Sequence, residues 1–416
     1  MSIDKTDLFV YAHWCGMPEP VLIGILSAHQ GKGRRSYSFE YDAHWLKGKD
    51  LFLLDPEIGL FPGPQFPGKR ENFGIFLDSM PDTWGRTLMA RRSLQIAKSE
   101  GRVAPSLHDV DYLLGVADKC RMGAMRFKLD RDGPFLEDDS NTPVPPWTSV
   151  GDLQHIADLV ESGNNPRELN KWLALLMAPG SSLGGARPKA NVMDNSGQLW
   201  IAKFPSGNDT IDKAKWEFLA YKLAIASGIK MSESRIEKVS GNYCTFFTKR
   251  FDRIREERVH FASAMTMTGN SEEILRNKRV SYLDLSMFIQ DHGGNINEDL
   301  AELWRRIVFN IAVSNTDDHL RNHGFVIENG SWRLSPAYDI NPSIDKEELA
   351  LNIDDSSGAL EFDLVLSVAG YFRLTIKEAR AIQFHVLQVV SNWQKTAKQI
   401  AIPRSEIEKM QRAFRI

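Results

Sequence analysis

Asp317, Asn322 and Asp339 are the residues whose types and spacing best fit chemistry. The first two lie five apart in the polar run S-N-T-D-D-H-L-R-N-H-G (314–324), and the third closes the segment S-P-A-Y-D. An acid, then an amide, then a second acid beyond two short strands is the order used in ATP–metal phosphoryl transfer. There one acid orients a hydroxyl nucleophile, while the amide and the other acid hold the magnesium that bridges the phosphates. The same residue types are also common turn formers, so the surrounding elements must decide between the two readings.

Upstream, Leu300, Leu303, Trp304, Ile307, Val308, Ile311 and Ala312 recur at helical spacing. They predict an amphipathic helix buried on one face, with Asn297 as N-cap, Glu298 and Asp299 in its first turn and an end near Ser314. Downstream, G-F-V-I-E and S-W-R-L-S flank Asn329-Gly330, the strongest short-range signal of a hairpin. A hairpin returns the chain to its start, which brings Asp339 back towards Asn322.

A second informative stretch lies earlier, in A-P-G-S-S-L-G-G-A-R-P-K-A-N-V-M-D-N-S-G-Q-L-W-I-A-K-F-P. Gly184 and Gly185 allow backbone N–H groups close to phosphate oxygens. Ser181, Ser182 and Lys189 add hydroxyls and positive charge. Two strand-like runs follow around an Asn-Ser-Gly turn, with Lys203 near the end of the second, the place where kinases hold the α/β-phosphates. These glycines match neither the P-loop nor the protein-kinase glycine pattern. A helix capped by Asp209 or Thr210 should bury Trp216, Leu219, Ala220, Leu223 and Ala224 and stop at Gly228. Glu217 on that helix is either a partner for Lys203 or a solvated carboxylate. Two more strands, R-I-E-K-V and Y-C-T-F-F-T-K-R-F-D-R, are joined by Ser240-Gly241-Asn242. The second is placed to be a hinge strand, with Phe247 or Phe251 packing on a base or simply serving the core.

The chain has 416 residues, 42% hydrophobic and 25% charged, with net charge −3. That length fits two or three packed subdomains, and that charge gives no global pull towards nucleic acid or anionic membrane. Cys15, Cys120 and Cys244 have neither metal-ligand nor disulfide-framework spacing, which fits a reducing cytoplasm. No apolar run is long enough to span a bilayer, so a soluble protein without a membrane partner is expected. V-L-I-G-I-L-S and R-S-Y-S-F-E-Y flank a turn and predict an N-terminal hairpin. M-P-D-T-W-G-R-T-L-M-A-R-R reads as a helix capped near Asp82, and N-T-P-V-P-P-W (141–147) reads as a linker. Short helices are expected over 152–160 and 169–177. Three segments follow: a β-rich N-terminal subdomain (1–145), a nucleotide-binding small lobe (146–255) and a helical C-terminal lobe (256–416).

S-S-L-G-G-A-R-P-K, W-I-A-K-F-P, T-K-R-F-D-R, N-T-D-D-H-L-R-N-H-G-F and L-S-P-A-Y-D resemble the signature blocks of the HipA family. These are serine/threonine kinases that act as toxins of bacterial type II toxin–antitoxin modules. V-Y-A-H-W-C-G…V-L-I-G-I-L and S-Y-S-F-E-Y-D-A-H-W-L are similar to the family's N-terminal subdomain, so the resemblance runs in order over most of the chain. It implies an α+β, bilobal, protein-kinase-like fold. Carried over by position, Asp317 would be the catalytic base, and Asn322 and Asp339 the Mg2+ ligands. Lys203 would contact the ATP phosphates, with Ser181, Ser182, Gly184, Gly185, Lys189, Thr248, Phe251 and His319 also at the nucleotide. Ser182 falls at the family's autophosphorylation site, with Ser181 as its neighbouring alternative. Phosphate added there would repel the ATP phosphates and silence the kinase. Two positions depart from the family pattern: Asp318, where glycine is common, and Lys249, where glutamate is frequent.

The resemblance also implies partners: a helix-turn-helix antitoxin of HipB type, operator DNA bound through that complex, and an aminoacyl-tRNA synthetase as protein substrate. Lys32–Arg35 and Arg91/Arg92 are the candidate DNA-facing runs. Two competing readings stand beside the toxin kinase. One is a small-molecule kinase, which would label a hydroxylated metabolite and no protein. The other is a catalytically weak co-repressor, which would not need Lys203, Asp317, Asn322 and Asp339 together.

Overall fold

The computed structural model describes residues 4–30, 35–48, 51–68, 70–136, 144–163, 185 and 187–416. By contact the chain forms two units, one of residues 1–207 with 250–262, the other of 208–249 with 263–416. The boundaries expected at 145/146 and 255/256 do not coincide with these units. Val144 is buried and Pro146 bridges to Met193, so the described end of the expected linker is packed structure inside the first unit.

The first unit contains an antiparallel sheet of β1 (Asp4–Ala12), β2 (Val21–Gln30), β3 (Arg35–Tyr41) and β4 (Met125–Lys128), in the order β3-β2-β1-β4. β2 and β3 are the expected hairpin, paired from Gly24–Tyr41 to Gln30–Arg35. Residues 31–34 at its tip, Lys32 among them, lie outside the described residues. Leu8, Val10, Leu26 and Phe39 fill one side of the sheet because alternate strand residues share a face. Helix Thr83–Ser99 starts at Asp82, whose carboxylate accepts from the Gly85 N–H at 2.8 Å. Arg91 on this helix donates to the carbonyl of Val160, the last core residue of helix Val150–Glu161. It therefore serves packing within the unit. Strands β5 (Lys189–Met193) and β6 (Leu199–Lys203) form the second expected hairpin, turning at Gly197 with φ +78°. The helix expected over 169–177 lies outside the described residues.

Residues 250–262 are bound into the first unit by charge. Asp252 is fully buried and accepts from Arg250 Nη2 at 2.6 Å, Arg253 Nη1 at 2.7 Å and the Gly123 N–H at 2.8 Å. Arg250 also reaches the Cys120 carbonyl at 2.6 Å, and Arg253 that of Arg121 at 2.6 Å. Burial alone would raise the Asp252 carboxyl, but Arg250 and Arg253 hold it down at about 2. Buried charges persist only when paired and hydrogen-bonded in this way.

In the second unit, helix Lys213–Ala226 is capped by Asp212, which accepts from the Lys215 N–H, rather than by Asp209 or Thr210. Trp216, Leu219, Ala220, Leu223 and Ala224 are buried as expected, and Gly228 ends the helix at φ +81°. β7 (Ser234–Glu237) and β8 (Thr245–Lys249) pair antiparallel. Helix Ile296–Ala312 begins at Asn295, so Asn297 lies inside its first turn instead of capping it. All seven apolar residues of its expected stripe are wholly buried. Helices Tyr282–His292, Phe362–Ser367 and Ile376–Val390 pack around it. Among the described residues no helix is long and apolar enough to cross a membrane, and the three cysteines are free thiols.

Candidate active site

The buried Ile296–Ala312 helix delivers the chain into a tight loop. Ser314 turns it at φ +48°, and residues 320–322 form a single helical turn. The Asp317 carbonyl accepts from the His319 N–H and from Asn322 Nδ2, both at 2.9 Å. This bond fixes Asn322 against Asp317 and commits the amide nitrogen. The carbonyl oxygen of Asn322 is then the end of the amide that suits a cation. The Asp317 carboxylate projects outward with 73% of its side chain exposed, and Lys346 Nζ stands 3.8 Å from it. An exposed pair at that distance adds little stability. The acid is presented to solvent.

Its neighbour is oriented the other way. Asp318 is buried, and one of its carboxylate oxygens accepts from the Tyr282 hydroxyl, from Asn310 Nδ2 at 2.6 Å and from His323 Nε2 at 2.8 Å. Burial and the adjacent carboxylate push the Tyr282 hydroxyl well above its usual pKa, so it stays protonated and donates. This anchor was not identified from sequence, where Asp318 was only a departure from glycine. Asp318, Asn310, Tyr282 and His323 are residues that sequence reasoning missed as supports of the loop. Polar types scattered over 282–323 carry no periodic signal.

The hairpin of Gly324–Glu328 and Ser331–Leu334 is registered from Phe325–Leu334 to Glu328–Ser331. Asn329 and Gly330 have φ of +51° and +76°, as a two-residue type I′ turn requires. Beyond it the Ser335 N–H donates to the Gly324 carbonyl at 2.9 Å, and the Tyr338 hydroxyl to the Arg321 carbonyl at 2.8 Å. Tyr338, the residue before Asp339, is thereby tied to the turn that carries Asn322. Its backbone is left-handed at φ +58°, and one carboxylate oxygen accepts from Asn341 Nδ2 at 3.1 Å. One carboxylate and one amide oxygen fit Mg2+, which keeps several waters and completes its shell with substrate phosphates. Among the described residues no cluster of three or more His, Cys, Asp or Glu forms a preassembled metal cage. His319 caps the 320–322 turn through its backbone.

The other candidates divide between the units. Lys203 is buried at the end of β6 in the first unit, and Glu217 is buried on helix Lys213–Ala226 in the second. Lys189, expected to bring charge to phosphates, has its ammonium buried on Asp82 at 2.7 Å and on the Gly185 carbonyl at 2.8 Å. Burial raises the Asp82 carboxyl against the pull of Lys189. Thr248 accepts from the Ser234 hydroxyl across β7 and β8 at 3.0 Å. Phe247 is wholly buried and belongs to the core, whereas Phe251 is half-buried against Phe261, ring centres 5.7 Å apart. Ser181, Ser182 and Gly184 lie outside the described residues.

Residues 181–415 match the family model described as "HipA-like C-terminal domain". The fold is similar to that of the HipA protein of Shewanella oneidensis MR-1, solved with HipB and its operator DNA. The TM-score is 0.69 at 17% identity, covering 98% of this chain and 94% of that one. A Haemophilus influenzae protein named "Putative kinase" is 27% identical over 179 residues. That match takes in 38% of this chain and spans about half, 52%, of the relative.

Proposed function

Because the chain belongs to the HipA-like family, we propose that it is a Mg-ATP-dependent protein serine/threonine kinase, the toxin of a type II toxin–antitoxin module. The observation that carries this reading is the loop in which Asp317 is exposed, the Asn322 amide donates to the Asp317 carbonyl, and the hydroxyl of Tyr338, next to Asp339, donates to the Arg321 carbonyl. Asp317 accepts the proton of a serine or threonine hydroxyl as its oxygen bonds to the γ-phosphorus. The bond from phosphorus to the bridging oxygen breaks, and ADP leaves with that electron pair. Asn322 and Asp339 would hold Mg2+, which would supply charge neutralisation for the phosphate oxygens. As the family resemblance implies, Lys203 would contact the α/β-phosphates. Positioning and charge compensation are what such a transfer chiefly needs from a protein.

The Shewanella protein was solved with HipB and its operator DNA, which supports an antitoxin of HipB type and operator DNA as partners; a cytoplasmic location belongs to the same reading. The protein substrate we propose is a translation component such as an aminoacyl-tRNA synthetase. Self-phosphorylation at Ser182 or Ser181 would switch the kinase off. The test is phosphate transfer from Mg-ATP by dephosphorylated protein, wild type beside Asp317→Ala, with the labelled site mapped. Transfer by the wild type alone, with label on Ser182 or Ser181, is the expected result. No protein labelling in the presence of antitoxin-free enzyme and candidate synthetases would overturn the kinase reading and favour a DNA-bound co-repressor. Label on a small hydroxylated metabolite alone would favour the small-molecule kinase.

A further inference from the structure

The carboxylates of Asp318, the buried neighbour of Asp317, and Asp339 are joined by a run of asparagines. Asp318, bonded in sequence to Asp317, accepts from Asn310 Nδ2 at 2.6 Å. Asn310 Oδ1 accepts from Asn315 Nδ2 at 3.1 Å, and Asn315 Oδ1 accepts from the Asn341 N–H at 3.2 Å. Asn341 Nδ2 then donates to Asp339 Oδ1 at 3.1 Å. Asn310 and Asn315 are each 1% exposed, so neither can exchange these bonds for water without opening the core. The Ser343 N–H, donating to the Ser314 carbonyl at 3.1 Å, closes the same two segments further on.

A buried amide uses donor and acceptor ends in fixed directions, so a chain of them transmits position. Asn315 offers its nitrogen to the helix and its oxygen to the backbone beyond the hairpin. It thus reads the helix on one side and the Asp339 segment on the other. Asp339 sits at a left-handed residue, where a shift of backbone would swing the carboxylate away from the turn that bears Asn322. We propose that Asn315 and Asn341 are positioning residues for Mg2+. They set the Asp339 carboxylate against the Asp317–Asn322 loop through the Asn310–Asn315–Asn341 run. This rests on the kinase reading above only for the identity of the bound metal–nucleotide.

The experiment is Mn2+ binding, followed by electron paramagnetic resonance, to the full chain with ADP present. Wild type is compared with Asn315→Ala, Asn341→Ala and the double variant, with Mg2+ titrated in transfer assays in parallel. Asn341 is half-buried and its alanine variant is the safer for folding. Each single variant should weaken Mn2+ about tenfold, the usual effect of losing an outer-shell partner. ADP affinity without metal should not change. Because both bonds act on the one Asp339 segment, the losses in the double variant should fall short of the product of the single ones. Mn2+ affinity of Asn341→Ala within twofold of wild type would overturn the proposal, as would losses that multiply in the double variant. Wild type that binds Mn2+–ADP without transferring phosphate would sink the kinase reading and leave this comparison intact. Wild type that binds no Mn2+ would sink the positioning role itself.

Discussion

Asp317 and Asp318 share a side-chain chemistry and differ in everything around it. Asp317 is exposed and pairs with Lys346 at 3.8 Å, so Asp317→Ala should change stability by no more than about 0.5 kcal/mol while removing transfer activity. Asp318→Ala leaves the Tyr282 hydroxyl, the Asn310 amide and the His323 ring facing a buried void, and should cost about 3 kcal/mol. Urea midpoints of the two variants beside wild type check both numbers. Equal midpoints would show that Asp318 is not the loop's anchor. Residue types gave Asp317, Asn322 and Asp339 their candidacy because acid–amide–acid order is a chemical pattern. They could not reveal Asp318, since an aspartate that binds a helix residue eight positions back has the same letter as a solvated one. Lys189 was misleading for the same reason: its partner Asp82 is 107 residues away.

Elements with strong local signals match expectation closely. The Asn329-Gly330 turn, the apolar stripe of helix Ile296–Ala312 and the β2–β3 and β5–β6 hairpins all follow from period and turn chemistry. Caps were less legible. Asn295 and Asn297, or Asp209, Thr210 and Asp212, are all competent N-caps within a few residues. Which one caps depends on where packing starts the helix. The return of residues 250–262 to the first unit had no local signal, because guanidinium bonds to carbonyls over 120 residues away leave no period. That element yields an acid prediction. The folded Asp252 carboxyl lies at about 2 against 3.8 for an unperturbed aspartate, so the unfolded chain binds more protons between those values. The stabilisation, about 2 kcal/mol, is present above pH ~4 and is lost as pH falls towards 2. Asp252→Asn should flatten this part of the acid unfolding curve and lower stability at neutral pH by roughly 3 kcal/mol, since buried arginines lose their counter-charge. Superimposable acid curves for variant and wild type would show that Asp252 does not hold this segment.

On the scale of the whole molecule, the HipA-like membership and fold were legible because the signature blocks run in order along the chain. The division into units was not. The segment 141–147 looks like a linker by composition, yet Val144 is buried and Pro146 bridges to Met193 within the first unit, because proline-rich chain can bridge to a strand as well as span a gap. The proposed activity also has a consequence for the stability of the chain as a whole. A ligand that binds only the folded state stabilises it by about 2.7 kcal/mol at a hundredfold excess over its Kd. For a unit of this size that is a rise in Tm of roughly 5–10 °C. ATP alone should give part of this rise, and Mg2+ with ATP the whole. Asp339→Asn isolates the metal's share, because asparagine tolerates the left-handed φ of +58° while the carboxylate charge is gone. The variant should melt with wild type when no ligand is present and keep the shift from ATP alone. It should lose the increment that Mg2+ adds. An undiminished Mg2+ increment in Asp339→Asn would place the metal elsewhere, and a lower Tm without ligand would mean that the carboxylate serves the fold rather than the cation.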